Sequence, residues 1–293
     1  MIGLDTSHVV AFTKLLYNPH EKYHVPGGKV VVAFPGGSPD FELSLSRIEG
    51  FTDELMTHFN VEIVDSIEQV ATKSDAILLE SVDGAVHHEQ LRAIVAYQKP
   101  IFVDKPFSLS SQVARDMIRL AEVYQTPVMS TSALRYAEGL TSILQQTNKG
   151  KIIGADCFGP MEIQATQPGF FWYGIHTVEM LFAILGRGAQ SVMTFSNEEH
   201  DVITASWADG RIGTIRGNRQ GNPQFGAVIH FEHGSEIVTI HAQQKPYYAS
   251  LLEQIIAFFQ DGVPRVPLQE TLEIIRLIEA ANESQRTGRV IQL

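Results

Sequence analysis

Two short stretches of this chain carry side chains able to move protons. The first is Asp104-Lys105-Pro106, which sets an amine beside a carboxylate directly after the apolar run Pro100-Ile101-Phe102-Val103. The second is Phe170-Phe171-Trp172-Tyr173-Gly174-Ile175-His176, which delivers an imidazole just behind consecutive aromatic rings. An amine can stabilise charge developing on an oxygen, and an imidazole can accept a proton from a hydroxyl. Trp172 and Tyr173 have amphipathic rings suited to the apolar face of a polyhydroxylated ring. Each residue also has a plainer reading: Lys105 as a solvated loop lysine, Phe170 and Phe171 as core, and His176 as a structural helix histidine. The chemical reading requires Lys105 and His176, from the two halves of the chain, to meet at one cavity.

The elements around Lys105 favour that reading. Lys29 to Phe34, Val61 to Val64, Asp75 to Leu79 and Ile101 to Val103 read as short buried strands. Between them lie helices: Ser66 to Thr72, Ala85 to Gln98 and Ser110 to Gln125, the first opened by a capping box of Ser66 and Gln69. Strand–helix alternation of this kind makes a doubly wound parallel sheet, with helices on both faces. Ligands of such sheets sit outside the carboxyl ends of the strands, where Lys105 leaves.

Past about residue 150 the rhythm changes to alternating apolar and polar residues over Ser191–Phe195, Val202–Trp207, Arg211–Arg216, Ala227–Glu232 and Ser235–Ala242. Asp209-Gly210 and His233-Gly234 are hairpin signals between neighbouring runs. The expected second half, residues 129–293 against 1–128 for the first, is therefore an α+β domain on a mostly antiparallel open sheet. It closes with helices over Tyr248–Gln260 and Leu268–Thr287. A sheet without an obvious helix for one face predicts a homo-oligomer, a dimer or tetramer.

The opening turn, Gly3-Leu4-Asp5-Thr6-Ser7-His8, follows only Met1 and Ile2 and precedes a helix with Val9, Phe12, Leu15 and Leu16 on one side. Dinucleotide folds place G-x-G-x-x-G here, so that the backbone approaches a pyrophosphate at a helix N-terminus. Only Gly3 is kept; Asp5 and His8 occupy the second and third glycine positions. Asp5, Thr6 and Ser7 are good N-cap types, so a capped helix with no phosphate near it is the competing expectation. After the next strand comes Phe34-Pro35-Gly36-Gly37-Ser38, without the acidic residue that binds a ribose 2′-hydroxyl; Ser38 and Arg47 suit a 2′-phosphate better.

Composition limits the classes. The chain has 293 residues, 33 acidic against 22 basic, and a formal charge of −11, which opposes binding to a nucleic-acid backbone. No apolar run reaches the roughly 20 residues of a membrane span, and the start lacks signal-peptide character, so a cytoplasmic protein is expected. Cys157 is the only cysteine, in the strand-like Ile152–Phe158, and reads as a small core residue. Glu179 follows His176 by three residues but no third ligand accompanies them, so no metal is expected. Of His87 and His88, at most one can face a ligand.

Taken in order, these motifs resemble the glucose–fructose oxidoreductase/inositol dehydrogenase (Gfo/Idh/MocA) family. Asp104-Lys105-Pro106 is similar to its E/D-K-P motif. Val82 to Glu89 is similar to its T-P-x-x-x-H-x-E loop, with His87 at the histidine. Leu134-Arg135-Tyr136 is similar to its R-F/Y element, and Gly174-Ile175-His176 to its G-x-H segment. The resemblance implies an N-terminal Rossmann domain, NAD or NADP as cofactor, a sugar, inositol or related polyol as substrate, and hydride transfer. It implies Lys105 and His176 as catalytic residues. Gly3, Thr6, Ser7, His8, Ser38, Val82, His87, Asp104 and Lys105 would face the cofactor; Arg135, Trp172, Tyr173 and His176 would face the substrate. It also implies a cis Lys105–Pro106 bond. Two departures stand out: the degraded glycine turn, and Trp172 where the family has an aspartate. They keep two alternatives open, a non-catalytic ligand-binding or assembly protein and a redox-neutral lyase or epimerase holding its cofactor tightly.

Overall fold

A computed structural model describes residues 1–242 and 244–293. Two compact units account for them: Met1–Thr131 with Tyr248–Leu268, and Ser132–Tyr247 with Gln269–Leu293.

The first unit runs α1 (His8–Tyr17), β1 (Val32–Ala33), α2 (Glu42–Phe59), β2 (Glu62–Ile63), α3 (Ile67–Lys73), β3 (Ile77–Leu79), α4 (His87–Ile94), β4 (Ile101–Val103), α5 (Ser111–Val123) and β5 (Val128–Ser130). Strands β1 and β2 pair in parallel, as do β3, β4 and β5. The two sets are joined by Ile2, which bridges in parallel to Phe34 on one side and Leu79 on the other. Its N–H donates to Leu78 O at 2.8 Å, and its carbonyl accepts from Glu80 N at 2.7 Å. Counting Ile2 as the first strand, the spatial order is 3-2-1-4-5-6, the Rossmann order with its switch point between the first and fourth strands. The strands are shorter than the apolar runs, because pairing is confined to the residues at the centre of the sheet. Side-chain caps start two of the helices as their sequences require: Ser66 accepts from Gln69 N, and Ser110 from Val113 N at 3.2 Å. Along α5 the buried stripe is Ala114, Met117, Ile118 and Ala121, with Val113 and Leu120 at its half-buried margin.

The second unit begins with α6 (Glu138–Leu144) and β6 (Ile152–Pro160), followed by α7 (Gly174–Leu185), β7 (Ala189–Ser196), β8 (His200–Trp207), β9 (Ile212–Asn218), β10 (Gly226–Phe231) and β11 (Gly234–Thr239). After α8 (Tyr247–Asp261) come α9 (Leu268–Thr287) and β12 (Ile291–Gln292). Seven strands form one sheet in the order β11-β10-β6-β9-β8-β7-β12, with β6–β9 its one parallel pair. Both hairpin signals hold: β8–β9 and β10–β11 are antiparallel, and Gly210 and Gly234 take positive φ. Helix α7 packs on β6 and β9, and its Leu181 and Leu185 fill the space over Gly213. On the opposite face Phe195, Ile212 and Ile237 are largely exposed. Cys157 is buried within β6, and burial pushes its thiol pKa up, which makes it inert.

A single cut after residue 128 does not describe this division, since α8 from Tyr248 onward belongs with the first unit. The cause is its apolar face. Ile256 lies against Gly27 and Gly28, and the ring of Tyr248 meets those of His8 and Phe12 at 4.9 and 6.0 Å.

At the switch point Gly3 has φ +84°, and a Cβ there would stand 2.4 Å from the backbone nitrogen of Ser81. Gly3→Ala should destabilise the chain by about 2–4 kcal/mol, combining a left-handed backbone with overpacking. Gly50, inside α2 with nothing within 4 Å of its virtual Cβ, is the control: Gly50→Ala should stabilise by roughly 0.5–1 kcal/mol. Urea unfolding midpoints of the two variants check both signs.

Candidate functional site

The carboxyl ends of Ile2, β1, β3 and β4 bring Gly3, Gly36, Glu80, Ser81, Asp104 and Lys105 to one edge of the first unit. Gly36 lies so close that a Cβ on it would be 3.3 Å from the Cα of Gly3. Lys105 follows β4 directly, is 8% exposed, and forms a cis peptide bond with Pro106, as the resemblance implies.

The two residues in place of glycines turn inward. Asp5 is fully buried; its carboxylate accepts from Ser44 Oγ at 2.6 Å and from Val82 N at 3.0 Å. It therefore ties α2 and the loop after β3 to the opening turn, rather than capping α1. Burial raises its pKa, against the lowering effect of those two hydrogen bonds. Ser7 holds the N-cap position of α1 without a side-chain cap. The α1 N-terminus is thus not closed by the Asp5, Thr6 or Ser7 side chains in the way their types suggested.

His8 departs furthest from expectation. Its Nδ1 stands 3.1 Å from Asp104 Oδ2 and 3.6 Å from Glu80 Oε2, and its ring stacks on Phe12. All three ionisable groups are buried. Burial alone would strip the proton from the imidazole, but the charge of Asp104 outweighs it and raises His8 to about 9. Burial pushes Glu80 up, while His8 and Lys105 hold Asp104 down against its own burial. Asp104 thus faces the opening helix. Nothing near residues 80 or 104 announced that His8 joins them. The available signal was an ionisable residue, Glu80, directly after the buried Ile77-Leu78-Leu79.

His87, expected at the cofactor, is fully buried and uses both ring nitrogens on backbone carbonyls. Nε2 is 2.7 Å from Ser81 O, and Nδ1 is 3.0 Å from Pro106 O. It clamps the loop after β3 to the loop after β4, a positioning role. Val82 is 3% exposed and contributes its N–H to Asp5. Ser38 is buried, with its N–H on Ser44 Oγ at 2.9 Å and no hydrogen-bond partner for its own hydroxyl.

In the second unit His176 lies in the first turn of α7. Its Nδ1 is 2.7 Å from Ser132 Oγ, and its ring contacts those of Tyr173 and Phe225 at 5.6 and 5.7 Å. Tyr173 and His176 keep partial exposure, whereas Trp172 is 7% exposed and packs as a core side chain. Stacking of Trp172 on a sugar has only that small area to work with, close to the 8% exposed at Lys105. Arg135 is already paired: its Nε donates to Glu179 Oε2 at 2.9 Å, and Nη2 lies 2.6 Å from Glu270 Oε1. Against its burial, the two carboxylates hold the guanidinium charged. A substrate would have to compete with both. Glu179, once weighed as a ligand partner of His176, serves Arg135 instead.

A cavity of about 360 Å³ lies at the amino ends of the strands, lined by Val30, Val32, Ala76, Leu252 and Ile256 among others. It is at the edge of the first unit away from Lys105 and holds none of the groups above.

The switch-point edge fits a dinucleotide. Gly3 supplies the tight turn, the hydroxyls of Ser38 and Ser81 are buried without partners, and the Asp5 and His8 side chains leave the approach to the α1 N-terminus by turning inward.

Residues 44–132 match the Gfo/Idh/MocA model, described as an oxidoreductase family with an NAD-binding Rossmann fold. Nothing among curated proteins matches the chain. Among solved structures, the myo-inositol dehydrogenase of Lactobacillus casei, in complex with NAD(H) and myo-inositol, is 15% identical with a TM-score of 0.78, over 100% of this chain and 95% of that one. The myo-inositol dehydrogenase of Corynebacterium glutamicum is 17% identical with a TM-score of 0.77, over 100% and 97%. The myo-inositol 2-dehydrogenase of Lactobacillus plantarum is 14% identical with a TM-score of 0.78, over 100% and 98%. At these identities the likeness is one of fold, and it extends along the whole chain.

Two tests follow from the buried charges. Arg135→Met leaves two carboxylates facing each other in the second unit and should cost about 3–5 kcal/mol in denaturant unfolding. For Asp5 the folded pKa lies above the unfolded one, so the folded state binds more protons and stability should fall as pH rises above about 4. Asp5→Asn keeps an acceptor for Ser44 and Val82 and should flatten that part of the stability–pH curve; an unchanged slope contradicts the assignment.

Proposed function

We propose that this chain, whose Rossmann segment matches the Gfo/Idh/MocA oxidoreductase family over residues 44–132, is an NAD- or NADP-dependent oxidoreductase of a sugar, inositol or related polyol. The observation that carries this reading is the position of Lys105. It leaves the central strand β4 at the carboxyl edge of a 3-2-1-4-5-6 sheet, beside the glycine turn at the switch point. The similarity in fold to inositol dehydrogenases, one of them solved with NAD(H) and myo-inositol, supports the substrate class.

Thr6 and Ser7 would hold the pyrophosphate through backbone N–H groups at the start of α1, while Gly3, whose own N–H donates to Phe34 O at 3.0 Å, gives the close approach of the turn. The nicotinamide, when bound, supplies the hydride acceptor or donor. Proton handling falls to the protein. The Ser132 Oγ contact at 2.7 Å occupies Nδ1 of His176, and Nε2 is then the ring atom to take the hydroxyl proton. The Lys105 ammonium stabilises negative charge on the reacting oxygen, and His87 fixes the backbone on either side of it through Ser81 and Pro106. Tyr173, partly exposed beside His176, is the aromatic contact for the polyol.

The non-catalytic reading drew its support from a carboxylate at the pyrophosphate position. With the Asp5 carboxylate on Ser44 and Val82, that support is gone. The exposed apolar residues on the sheet face away from α7, among them Phe195, Ile212 and Ile237, support a homo-oligomer.

A screen of inositols, aldoses and sugar acids with NAD+ and NADP+, following reduced nicotinamide by absorbance, should find a substrate. Lys105→Ala and His176→Asn should each lower kcat by roughly 10²–10⁴ while cofactor affinity stays within a few-fold. Wild-type turnover in either variant removes that residue from the chemistry.

A further inference from the structure

The proton chemistry proposed above leaves His8, Glu80 and Asp104 unused, yet they form the densest buried group of ionisable side chains among the described residues. They come from three separate segments: the first turn of α1, the end of β3 and the end of β4. One donor atom from each lies within 4.8 Å of the others. Relative exposures are 7%, 0% and 1%.

The geometry is poor for hydrogen bonding. At 3.1 Å, His8 Nδ1 is close enough to Asp104 Oδ2 for a hydrogen bond, yet neither atom has a hydrogen-bond partner. Both oxygens of Glu80 are also unpartnered, in a side chain with no exposed surface. Leaving a charged acceptor unsatisfied in the interior is costly, and such groups call for an ion or a proton.

A cation at the centre needs only that the donors converge. With metal–ligand distances of 2.0–2.2 Å, tetrahedral and octahedral sites have ligand–ligand edges of about 2.8–3.6 Å. The contacts of His8 Nδ1 with Asp104 and Glu80, 3.1 and 3.6 Å, fall in that range. Two carboxylates neutralise a divalent charge, and the ion takes the place of the imidazole proton. The neighbouring charge of Lys105 opposes a cation, so the site requires both carboxylates.

We propose that His8, Glu80 and Asp104 bind a first-row divalent cation, Zn²⁺ or Mn²⁺. One imidazole with two carboxylates and no thiolate suits such borderline ions; Ca²⁺ would demand six or more oxygens. Three protein donors leave the remaining coordination positions for water.

The test uses the full chain, stripped with a chelator and dialysed, then titrated calorimetrically with ZnCl₂ and MnCl₂. One ion per chain is expected, and Glu80→Gln and His8→Gln should each weaken binding at least about 100-fold with circular dichroism unchanged. Should those variants misfold, the wild type still decides: its Mn²⁺ form should show nitrogen coupling from one imidazole in pulsed EPR. No saturable binding, or a bound ion without that coupling, overturns the proposal. Neither readout depends on turnover, so a failed polyol screen leaves the metal result standing, and the reverse.

Discussion

The contact between Gly3 and Ser81 is the constraint from which the rest of the first unit follows. A turn with φ +84° lies against the backbone of the loop after β3 at a distance no side chain could share. That contact brings the first and fourth strands together with only Ile2 as the pairing residue between β1 and β3. It also fixes where the carboxyl ends of β3 and β4 stand relative to α1. Asp5, Val82 and Ser44 add a buried polar tie across the same junction, and His87 adds another between the loops after β3 and β4. Lys105 owes its position to this set of ties.

Packing glycine-tight on one side forces the remaining side chains of the opening turn to go elsewhere. Asp5 and His8 go inward, where each finds polar company from distant segments. For Asp5 the company is hydrogen-bonded. For His8 it is two carboxylates and, beyond them, the charge of Lys105. Asp5 and His8, in place of two glycines of the dinucleotide turn, have therefore not simply removed a binding surface. They have built a second ionisable group under that surface, balanced between two acids and two bases.

Much of this was legible in the residues. Strand–helix alternation up to residue 130 is enough for a parallel sheet, because buried β-branched runs with helical crossovers admit few other arrangements. Asp209-Gly210 and His233-Gly234 set the hairpin registers of the second sheet. The positions of Lys105 and His176 are legible because each adjoins an element end that the pattern locates. Roles that depend on pairing across the chain were not legible. Arg135 reads as a free cation until Glu179 and Glu270 are seen beside it. The burial of Trp172 likewise depends on neighbours that its residue type does not announce. Helix α8 returns to the first unit because of what Tyr248 and Ile256 touch, and periodicity alone does not identify a helix's neighbour.

The central claim is that a turn with one glycine of three still receives a dinucleotide, since the two replacing side chains face away from it. Isothermal titration of the wild-type chain with NADH and NADPH measures this directly. Binding of at least one of them with a dissociation constant in the micromolar range, at one per chain, is the predicted result. No heat and no saturation at millimolar concentrations of both would contradict it, and would leave the Rossmann order of strands without the ligand for which that order is used here.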